Sequence, residues 1–242
     1  MKIGGIVLCG GESRRMGKPK ATLPFASETV LARIVRTVAS VVEPVVLVRR
    51  PQQELPPLFF PTFQSNSDHT DLPAAESKCQ PRSQPSLIVT EDVFAGKGPL
   101  AGIHAGLLAL QGLVTHAVVV SCDVPLVNAS FLSRLITLFQ QANASQWPGA
   151  PPFLACVPVT SGQRHPLVAL YACAVLPIAE RLLQAGLLRP AFLLQEIPVR
   201  WVHEHEWADI DPHSLSLLNI NTPADYELAL RYLELTNHTS DK

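Results

Sequence analysis

The sequence predicts an α/β fold built around a mostly parallel β-sheet. Short apolar runs that suit buried strands alternate along the chain with longer amphipathic stretches that suit helices. The first unit consists of an apolar run at residues 5–9, an amphipathic stretch from Thr29 to Val42 and a second apolar run at Val45–Val48. A strand–helix–strand unit of this kind is a crossover, which joins parallel strands.

The later elements extend this sheet and make it mixed. Two apolar runs joined by a short polar turn, Leu154–Val159 and Pro166–Tyr171, predict an antiparallel hairpin. The remaining predicted strands are 87–90, 117–120 and 199–203. The remaining predicted helices are 96–110, 131–141, 175–185, 189–195 and 224–235, the last capped by Thr222. We expect one domain over residues 1–242, with a frayed tail at 237–242.

Residues 51–86 interrupt this rhythm. The stretch holds seven of the 22 prolines, mixed with Ser, Gln and Asp and without clear periodicity. Such a composition predicts an insertion between strands that runs over the surface, with Phe59, Phe60 and Phe63 able to attach its first part to the body. A lid or a partner-binding loop is the functional alternative, whereas a tolerated insertion is the simpler interpretation.

Composition restricts the class of protein. Hydrophobic residues make up 47% and charged residues 16% of the 242 residues, which is typical of a compact globular chain. The formal net charge of −1 excludes a general basic surface for nucleic acids, so any anion site must be local. The five cysteines are scattered and form no C-x-x-C pair, which favours a reduced intracellular protein. Without a signal-peptide pattern or an apolar span, we expect a cytoplasmic protein that does not engage a membrane.

The richest stretch is GIVLCGGESRRMGKPK at residues 5–20. A buried strand ends at Gly10-Gly11, and four cations follow it: Arg14, Arg15, Lys18 and Lys20. Glycines allow backbone N–H groups to approach an anion and the cations neutralise it, so the loop suits a polyphosphate. The Walker and dinucleotide-binding patterns are both absent. From charge alone, a basic surface turn is an equally good interpretation.

Further polar residues follow apolar strands or stand at helix entries. They are Asp92, Asp123, Asn219 and Asn221. A parallel sheet gathers the carboxyl ends of its strands at one edge, so one cleft would hold all of them together with the glycine loop. A carboxylate beside phosphates suits Mg²⁺, and the set predicts phosphoryl- or nucleotidyl-transfer chemistry.

The same residues carry a family resemblance. LCGGESRRMGKPK resembles the nucleotide-binding signature LAGGxSxRMGxDK of the molybdenum cofactor guanylyltransferases. GPLAGI at 98–103, CDVP at 122–125 and NINTPAD at 219–225 are similar to that family in the same order, as is RHPLVALY at 164–171. The resemblance covers nearly the whole chain except 51–86 and the last few residues.

The resemblance implies a Rossmann-like three-layer fold with helices on both faces of a mostly parallel, mixed sheet. It also implies that the phosphate of molybdopterin attacks the α-phosphorus of GTP and releases pyrophosphate, with Mg²⁺ as cofactor. The implied nucleotide-binding residues are Leu8, Cys9, Gly10, Gly11, Lys20, Asp92 and Asp123. Lys20 would stabilise phosphate charge with help from Arg15, and Asp123 would hold the metal. His165, Asn219 and Asn221 would lie near the second substrate.

Two positions depart from the family pattern, and one bears on base choice. Cys9 replaces the usual alanine, which matters little if the contact is through the backbone. Pro19 replaces the aspartate before the lysine, so any orienting role of that carboxylate is lost. Gly10 favours GTP, because cytidylyl-transferring relatives tend to carry alanine there.

Several of these residues also have a purely structural interpretation. Cys9 and Cys122 suit small buried hydrophobes better than nucleophiles, and Cys79 suits an unpaired surface thiol. His165 alone suits a turn. His203 and His205 alternate with glutamates along a predicted strand, which puts both histidines on one face and suggests a solvated edge.

Two functional alternatives stay open at this stage. One is a related nucleotidyltransferase that uses CTP or another phosphate acceptor. The other is a non-catalytic nucleotide-binding protein that delivers cofactor, which the presence of both Lys20 and Asp123 disfavours. Contact with a molybdoenzyme or with other cofactor-biosynthesis proteins would fit either enzyme or carrier.

Overall fold

The computed structural model describes residues 1–10, 19–58, 86–92, 94 and 98–240, with side chains through residue 235. The strands are β1 Ile3–Leu8, β2 Pro24–Phe25, β3 Glu28–Thr29, β4 Val45–Arg49, β5 Leu87–Glu91, β6 His116–Ser121, β7 Ala155–Thr160, β8 Gln163–Arg164, β9 Val168–Ala172 and β10 Val199–His203. The helices are α1 Val30–Ala39, α2 Gly98–Ala109, α3 Ala129–Ala144, α4 Leu176–Gln184, α5 Pro190–Glu196 and α6 Pro223–Ser240.

The main sheet has the order β10-β7-β9-β6-β1-β4-β5, and β8 pairs with β7 outside this path. β6, β1, β4 and β5 run parallel to one another. β9 is antiparallel to both β6 and β7, so β7 and β10 again run in the direction of β1. The predicted mixed, mostly parallel sheet is therefore confirmed, and six of its eight strands end at the same edge.

Helices cover both faces of this sheet. α1 and α3 pack on one face, together with Trp207 and the buried residues of α6. α2, α4 and α5 pack on the other. β1 lies between the two layers and is buried from Gly4 to Leu8, which explains its nearly uninterrupted apolar sequence. The three-layer architecture predicted from the family resemblance is confirmed.

Two helices illustrate how the sequence sets this packing. α1 is amphipathic and begins where the Thr29 hydroxyl accepts a hydrogen bond from Ala32 N at 3.2 Å. α2 is buried from Leu100 to Leu107, because it lies between the sheet and α4. A methyl group on Gly106 would lie 2.5 Å from Ile6, so this glycine allows α2 to pack closely on β1.

The structure differs from the predicted elements in three places. The helix predicted to end near Leu235 continues to Ser240, since no helix breaker interrupts it, and so includes most of the tail expected to be frayed. The short hairpin of β2 and β3 was not predicted, because two-residue strands carry no periodic pattern. Within the supposed insertion, the side chains of Leu55 and Leu58 pack on the core.

Candidate functional site

A crevice is expected where the order of the parallel strands reverses. From β1 the chain passes through α1 to β4 and then β5 on one side, and α2 returns it to β6 on the other side of β1. The switch point therefore lies between β1 and β6, where open α/β sheets bind ligands at the carboxyl ends of their strands. Gly10 follows one of these strands and Asp123 follows the other. Cys122 N donates to Leu8 O at 3.0 Å and joins the two ends.

The start of the glycine loop is held at the β4 side. Cys9 N donates to Val48 O at 2.8 Å, and the Cys9 side chain is buried. Gly10 lies against Arg50, whose Cγ would be 3.1 Å from a methyl group added to the glycine. Leu8, Cys9 and Gly10 therefore lie at the switch point, whereas Gly11, Arg14, Arg15 and Lys18 lie outside the described residues.

Lys20 opens a short 3-10 helix, Lys20–Thr22, and extends toward Asp123. Its Nζ donates to Asn221 Oδ1 at 2.7 Å and lies 3.9 Å from Asp123 Oδ2. The side chains of Lys20 and Asp123 are 16% and 22% exposed, so a ligand in the crevice can still reach them. Because 3.9 Å is longer than a hydrogen bond, the amide oxygen and not the carboxylate fixes the ammonium group.

The segment at 219–221 is anchored directly to Asp123. Ile220 is buried and its backbone N–H donates to Asp123 O at 2.7 Å. Asp225 Oδ2 accepts from Asn221 N at 2.9 Å and from Thr222 N at 2.8 Å, while Thr222 Oγ1 accepts from Asp225 N at 3.2 Å. This reciprocal cap confirms Thr222 as the start of α6 and holds Asn221 in place.

Asn219 and His165 are the two further residues predicted near the second substrate. Asn219 is half-buried, one residue before the anchored Ile220. His165 is buried in the turn before β9, and its Nε2 lies 2.6 Å from Thr160 Oγ1. Burial lowers the pKa of His165, and the charge of Asp123 partly opposes that shift. The predicted hairpin therefore brings His165 within the electrostatic reach of Asp123.

Asp92 stands apart from this group. It follows β5, so β4 lies between it and β1. Its Oδ1 accepts from Phe94 N at 2.9 Å, and burial raises the pKa of its carboxyl group. Asp92 shares the edge of the sheet with Lys20 and Asp123, but its hydrogen bonds among the described residues join it to Phe94 and Arg49 instead.

Two cysteines lie beneath the crevice. Cys9 and Cys122 are both buried. A hydrogen bond with Cys9 and burial together hold the pKa of the Cys122 thiol well above its usual range. Since the thiolate is the nucleophilic form, Cys122 is a packing residue at neutral pH, as expected.

Residues 203–206 form an exposed edge with both histidines on one side, as predicted, but the predicted strand does not continue through them. The strand ends at His203, and Glu204–Glu206 forms a 3-10 helix, so side chains do not alternate there. The His203 and His205 rings stack at 6.3 Å, while Glu206 pairs with Arg200 and accepts from His203 N. Among the described residues, no group of three or more His, Cys, Asp and Glu side chains is arranged to hold a metal ion.

The sequence did not single out Gln53 or Asp225. Gln53 Nε2 donates to Cys9 O at 3.0 Å, although its surroundings resemble a polar insertion. In the sequence, Asp225 stands out only as the third residue after Thr222, which is a helix-capping pattern. That pattern does not predict the hydrogen bond that Asp225 accepts from Asn221 N.

The oxygen ligands available in the crevice suit a hard divalent cation. Asp123 provides a carboxylate, and Asn221 provides an amide oxygen within hydrogen-bond distance of Lys20 Nζ. Mg²⁺ prefers oxygen ligands and takes one or two carboxylates together with substrate phosphates. One partly exposed carboxylate at the switch point fits that preference.

None of the helices in the described part of the chain has the length and apolar character that a bilayer span requires.

Comparison with known proteins agrees with this geometry. The family model of the MobA-like NTP transferase domain matches residues 5–197. A probable molybdenum cofactor guanylyltransferase of Bacillus subtilis is 30% identical, over 93% of this chain and 94% of the relative. Another from Bacillus mycoides is 28% identical, over 96% of this chain and 98% of the relative.

A solved structure has the same fold. The crystal structure of molybdopterin-guanine dinucleotide biosynthesis protein A from Archaeoglobus fulgidus superposes with a TM-score of 0.68 at 24% identity. The match covers 97% of this chain and 99% of that one. The chain belongs to the MobA-like NTP transferase family of nucleotidyltransferases.

Proposed function

We propose that this protein transfers GMP from GTP to the phosphate of molybdopterin. A phosphate oxygen of molybdopterin attacks the α-phosphorus, the bond from that phosphorus to the bridging oxygen breaks, and pyrophosphate leaves. The observation that carries the proposal is the cluster of Lys20, Asn221 and Asp123 at the switch point between β1 and β6. The names of the relatives, molybdenum cofactor guanylyltransferases, support the choice of substrates.

The roles of the described residues are supported by their positions, whereas those of Gly11 and Arg15 rest on the family resemblance. Backbone groups of Leu8, Cys9, Gly10 and Gly11 bind the nucleotide at the end of β1. Lys20, held by Asn221, offsets the charge that develops on the phosphates, a preorganised interaction that contributes strongly to catalysis. Arg15 assists Lys20. Asp92, beyond β4, contacts the end of the nucleotide that is remote from the reacting phosphate.

Asp123 is the residue that would hold Mg²⁺, with Asn221 beside it. When bound, the metal supplies charge neutralisation on the phosphate oxygens and orients the leaving pyrophosphate. His165, whose pKa is influenced by the charge of Asp123, and Asn219, one residue before the anchored Ile220, would contact the acceptor phosphate. Burial lowers the pKa of His165, which favours its neutral ring and a role as a hydrogen-bonding partner.

The glycine at position 10 favours GTP over CTP through the family resemblance, and its packing shows what an alanine there would change. A methyl group at this position would lie 3.1 Å from Arg50 Cγ and would displace the arginine stem. The absence of a side chain at Gly10 therefore allows the aliphatic part of Arg50 to keep its present position. A change of nucleotide preference toward CTP in Gly10→Ala, with unchanged thermal stability, would support this account.

Nucleotide selectivity tests the proposal. With Mg²⁺ present, GTP should raise the thermal midpoint of the protein more than CTP or ATP does, because a ligand that binds only the folded state stabilises it. Selective stabilisation by CTP would instead favour a related nucleotidyltransferase. GTP binding without turnover on molybdopterin would favour a cofactor-delivery protein.

Replacement of Asp123 separates binding from chemistry. We expect Asp123→Ala to lose Mg²⁺-dependent turnover while part of the GTP affinity survives, because the backbone carbonyl that Ile220 binds is retained. Turnover and GTP affinity should be measured on the same preparation. Full activity of this variant would remove Asp123 from the metal site.

A further inference from the structure

Gln53 occupies an unusual position between two strands. Its side-chain Nε2 donates to Cys9 O at 3.0 Å, and its Oε1 accepts from Arg50 N at 3.1 Å. Cys9 is the last residue before the glycine pair, and Arg50 directly follows β4. One amide group therefore bridges the ends of β1 and β4.

The register shows which bond this amide replaces. Leu8 is paired with Val48, and Cys9 N donates to Val48 O. In a regular parallel ladder the next bond would run from Arg50 N to Cys9 O. Here the Gln53 amide lies between these two groups and satisfies both. The side-chain amide of Gln53 thus takes the place that a backbone peptide group would have. It continues the hydrogen bonding between β1 and β4 while it holds the ends of the two strands apart.

The turn that carries Gln53 is itself well fixed. Gln53 N donates to Arg50 O at 3.1 Å, which closes a four-residue turn with Pro51 second and Gln52 third. Gln52 has a φ of 61°, as the third position of a type II turn requires. Arg49 Nη1 also donates to Gln53 O at 2.9 Å.

This bridge determines where the next N–H group points. The N–H and C=O of Cys9 both face β4, and in a trans peptide the C=O of one residue and the N–H of the next point in opposite directions. Gly10 N–H is therefore directed away from β4, toward the side of β6 and Asp123. In the part of the chain that the structure describes, no group accepts a hydrogen bond from Gly10 N–H.

We propose that Gln53 is a positioning residue that fixes the Cys9–Gly10 peptide so that Gly10 N–H faces the crevice and binds the nucleotide. This inference rests on the proposed function for the identity of the ligand, GTP. It adds a residue from outside the glycine loop, and it gives a role to the first turn of the segment that follows β4.

The test uses the full chain and one matched pair of variants. Gln53→Glu keeps the size of the side chain and the oxygen that accepts from Arg50 N, but it loses the donor to Cys9 O. Gln52→Glu introduces the same charge on the neighbouring exposed residue and serves as the control. Both thermal midpoints should stay near that of the unchanged protein.

Two readouts separate the positioning role from the identity of the ligand. In nucleotide-free protein, Gln53→Glu removes the hydrogen bond from Gln53 Nε2 to Cys9 O and leaves the bond from Cys9 N to Val48 O as the remaining link at this strand end. The strand end should therefore open more often, and the protection of the Cys9 amide from hydrogen exchange should fall by about tenfold. GTP affinity, followed through the Gly10 amide resonance, should also weaken by about tenfold and raise KM more than it lowers kcat. Gln52→Glu should change neither quantity.

The possible failures can be told apart. Unchanged Cys9 protection in Gln53→Glu would overturn the bridge, and unchanged GTP affinity would overturn the positioning role. If Cys9 protection falls but GTP does not perturb Gly10 in the unchanged protein, the proposed GTP site fails and the positioning role fails with it.

Discussion

Asn221 is the residue that holds the candidate catalytic cation. Its Oδ1 accepts from Lys20 Nζ at 2.7 Å, while its backbone N–H is fixed by Asp225. The orientation of the ammonium group therefore depends on a residue that lies far along the chain from the glycine loop. Lys20 and Asn221 form one functional unit in this account.

Replacement of Asn221 should affect the rate more than binding. We expect Asn221→Ala to lower kcat about tenfold with little change in the KM for GTP, because it removes one acceptor that orients Lys20 without removing the charge of the lysine. Asn221→Asp retains an acceptor oxygen and should keep most of the activity. A loss confined to KM would show that Asn221 contacts the nucleotide and does not orient the lysine.

Replacement of Lys20 should lower the rate far more than replacement of Asn221 does. Lys20→Ala removes the preorganised cation and is expected to lower kcat by about two to three orders of magnitude. Single-turnover kinetics with GTP and molybdopterin would measure the chemical step. An unchanged single-turnover rate would exclude Lys20 from the site.

At the scale of elements, the start of α6 connects stability to the site. Asp225 accepts from Asn221 N and Thr222 N, and these two bonds, with the hydroxyl of Thr222, hold the pKa of Asp225 below its ordinary value. The same carboxylate caps α6 and fixes Asn221. Damage to the cap should therefore lower both stability and turnover.

The cap also predicts a dependence on pH. Asp225→Ala should lower the free energy of unfolding by about 1 kcal/mol at pH 7, or about 2–4 °C in the thermal midpoint. Because the folded-state pKa of Asp225 is depressed, its contribution is present above the unfolded pKa of about 4 and is lost as the pH falls through the folded value. Thermal midpoints of the two proteins should converge in acid. A difference that persists below the folded pKa would contradict this assignment.

The segment after β4 has two parts, which we expect to differ in how well they tolerate deletion. Residues 51–58 contain Gln53 and the core contacts of Leu55 and Leu58, and Ser86 N donates to Glu43 Oε1 at 2.8 Å where the chain returns to β5. Residues 59–85, with Phe59, Phe60, Phe63 and Cys79, lie outside the described residues. The prediction that they form a surface insertion therefore stays a prediction.

Deletion of residues 64–84 tests that prediction. Because Leu55 and Leu58 before the deletion and Ser86 after it are anchored by described contacts, we expect the thermal midpoint to change by less than about 4 °C. GTP binding should also persist. A collapse of the thermal transition would show that the deleted residues contribute to the fold.

At the scale of the whole molecule, the sequence was most informative about the polar residues located just beyond the strands. Asp123 and the Asn219–Asn221 segment were expected to meet because parallel strands end at one edge, and the structure joins them through Ile220. Asp92 was assigned to the same edge correctly, but its separation from Lys20 by β4 depends on strand order, which the pattern of one chain does not specify.

The remaining features depend on tertiary contacts without a local pattern. Gln53 resembles any other glutamine in a proline-rich stretch, and only the register of β1 against β4 makes it a bridge. The turn at Glu204–Glu206 likewise alternates in sequence as a strand would, but its pairing with Arg200 bends the chain into a 3-10 helix. Specific side-chain partners decided both outcomes.

In the proposed function, the crevice between β1 and β6 catalyses transfer of GMP from GTP to molybdopterin. The most direct measurement incubates the full chain with Mg²⁺, molybdopterin and an equal mixture of GTP and CTP, and identifies the products by mass spectrometry. We predict molybdopterin guanine dinucleotide and one pyrophosphate per dinucleotide, with both absent in the Asp123→Ala protein. The cytosine dinucleotide as main product, or guanine product that persists in Asp123→Ala, would contradict the account.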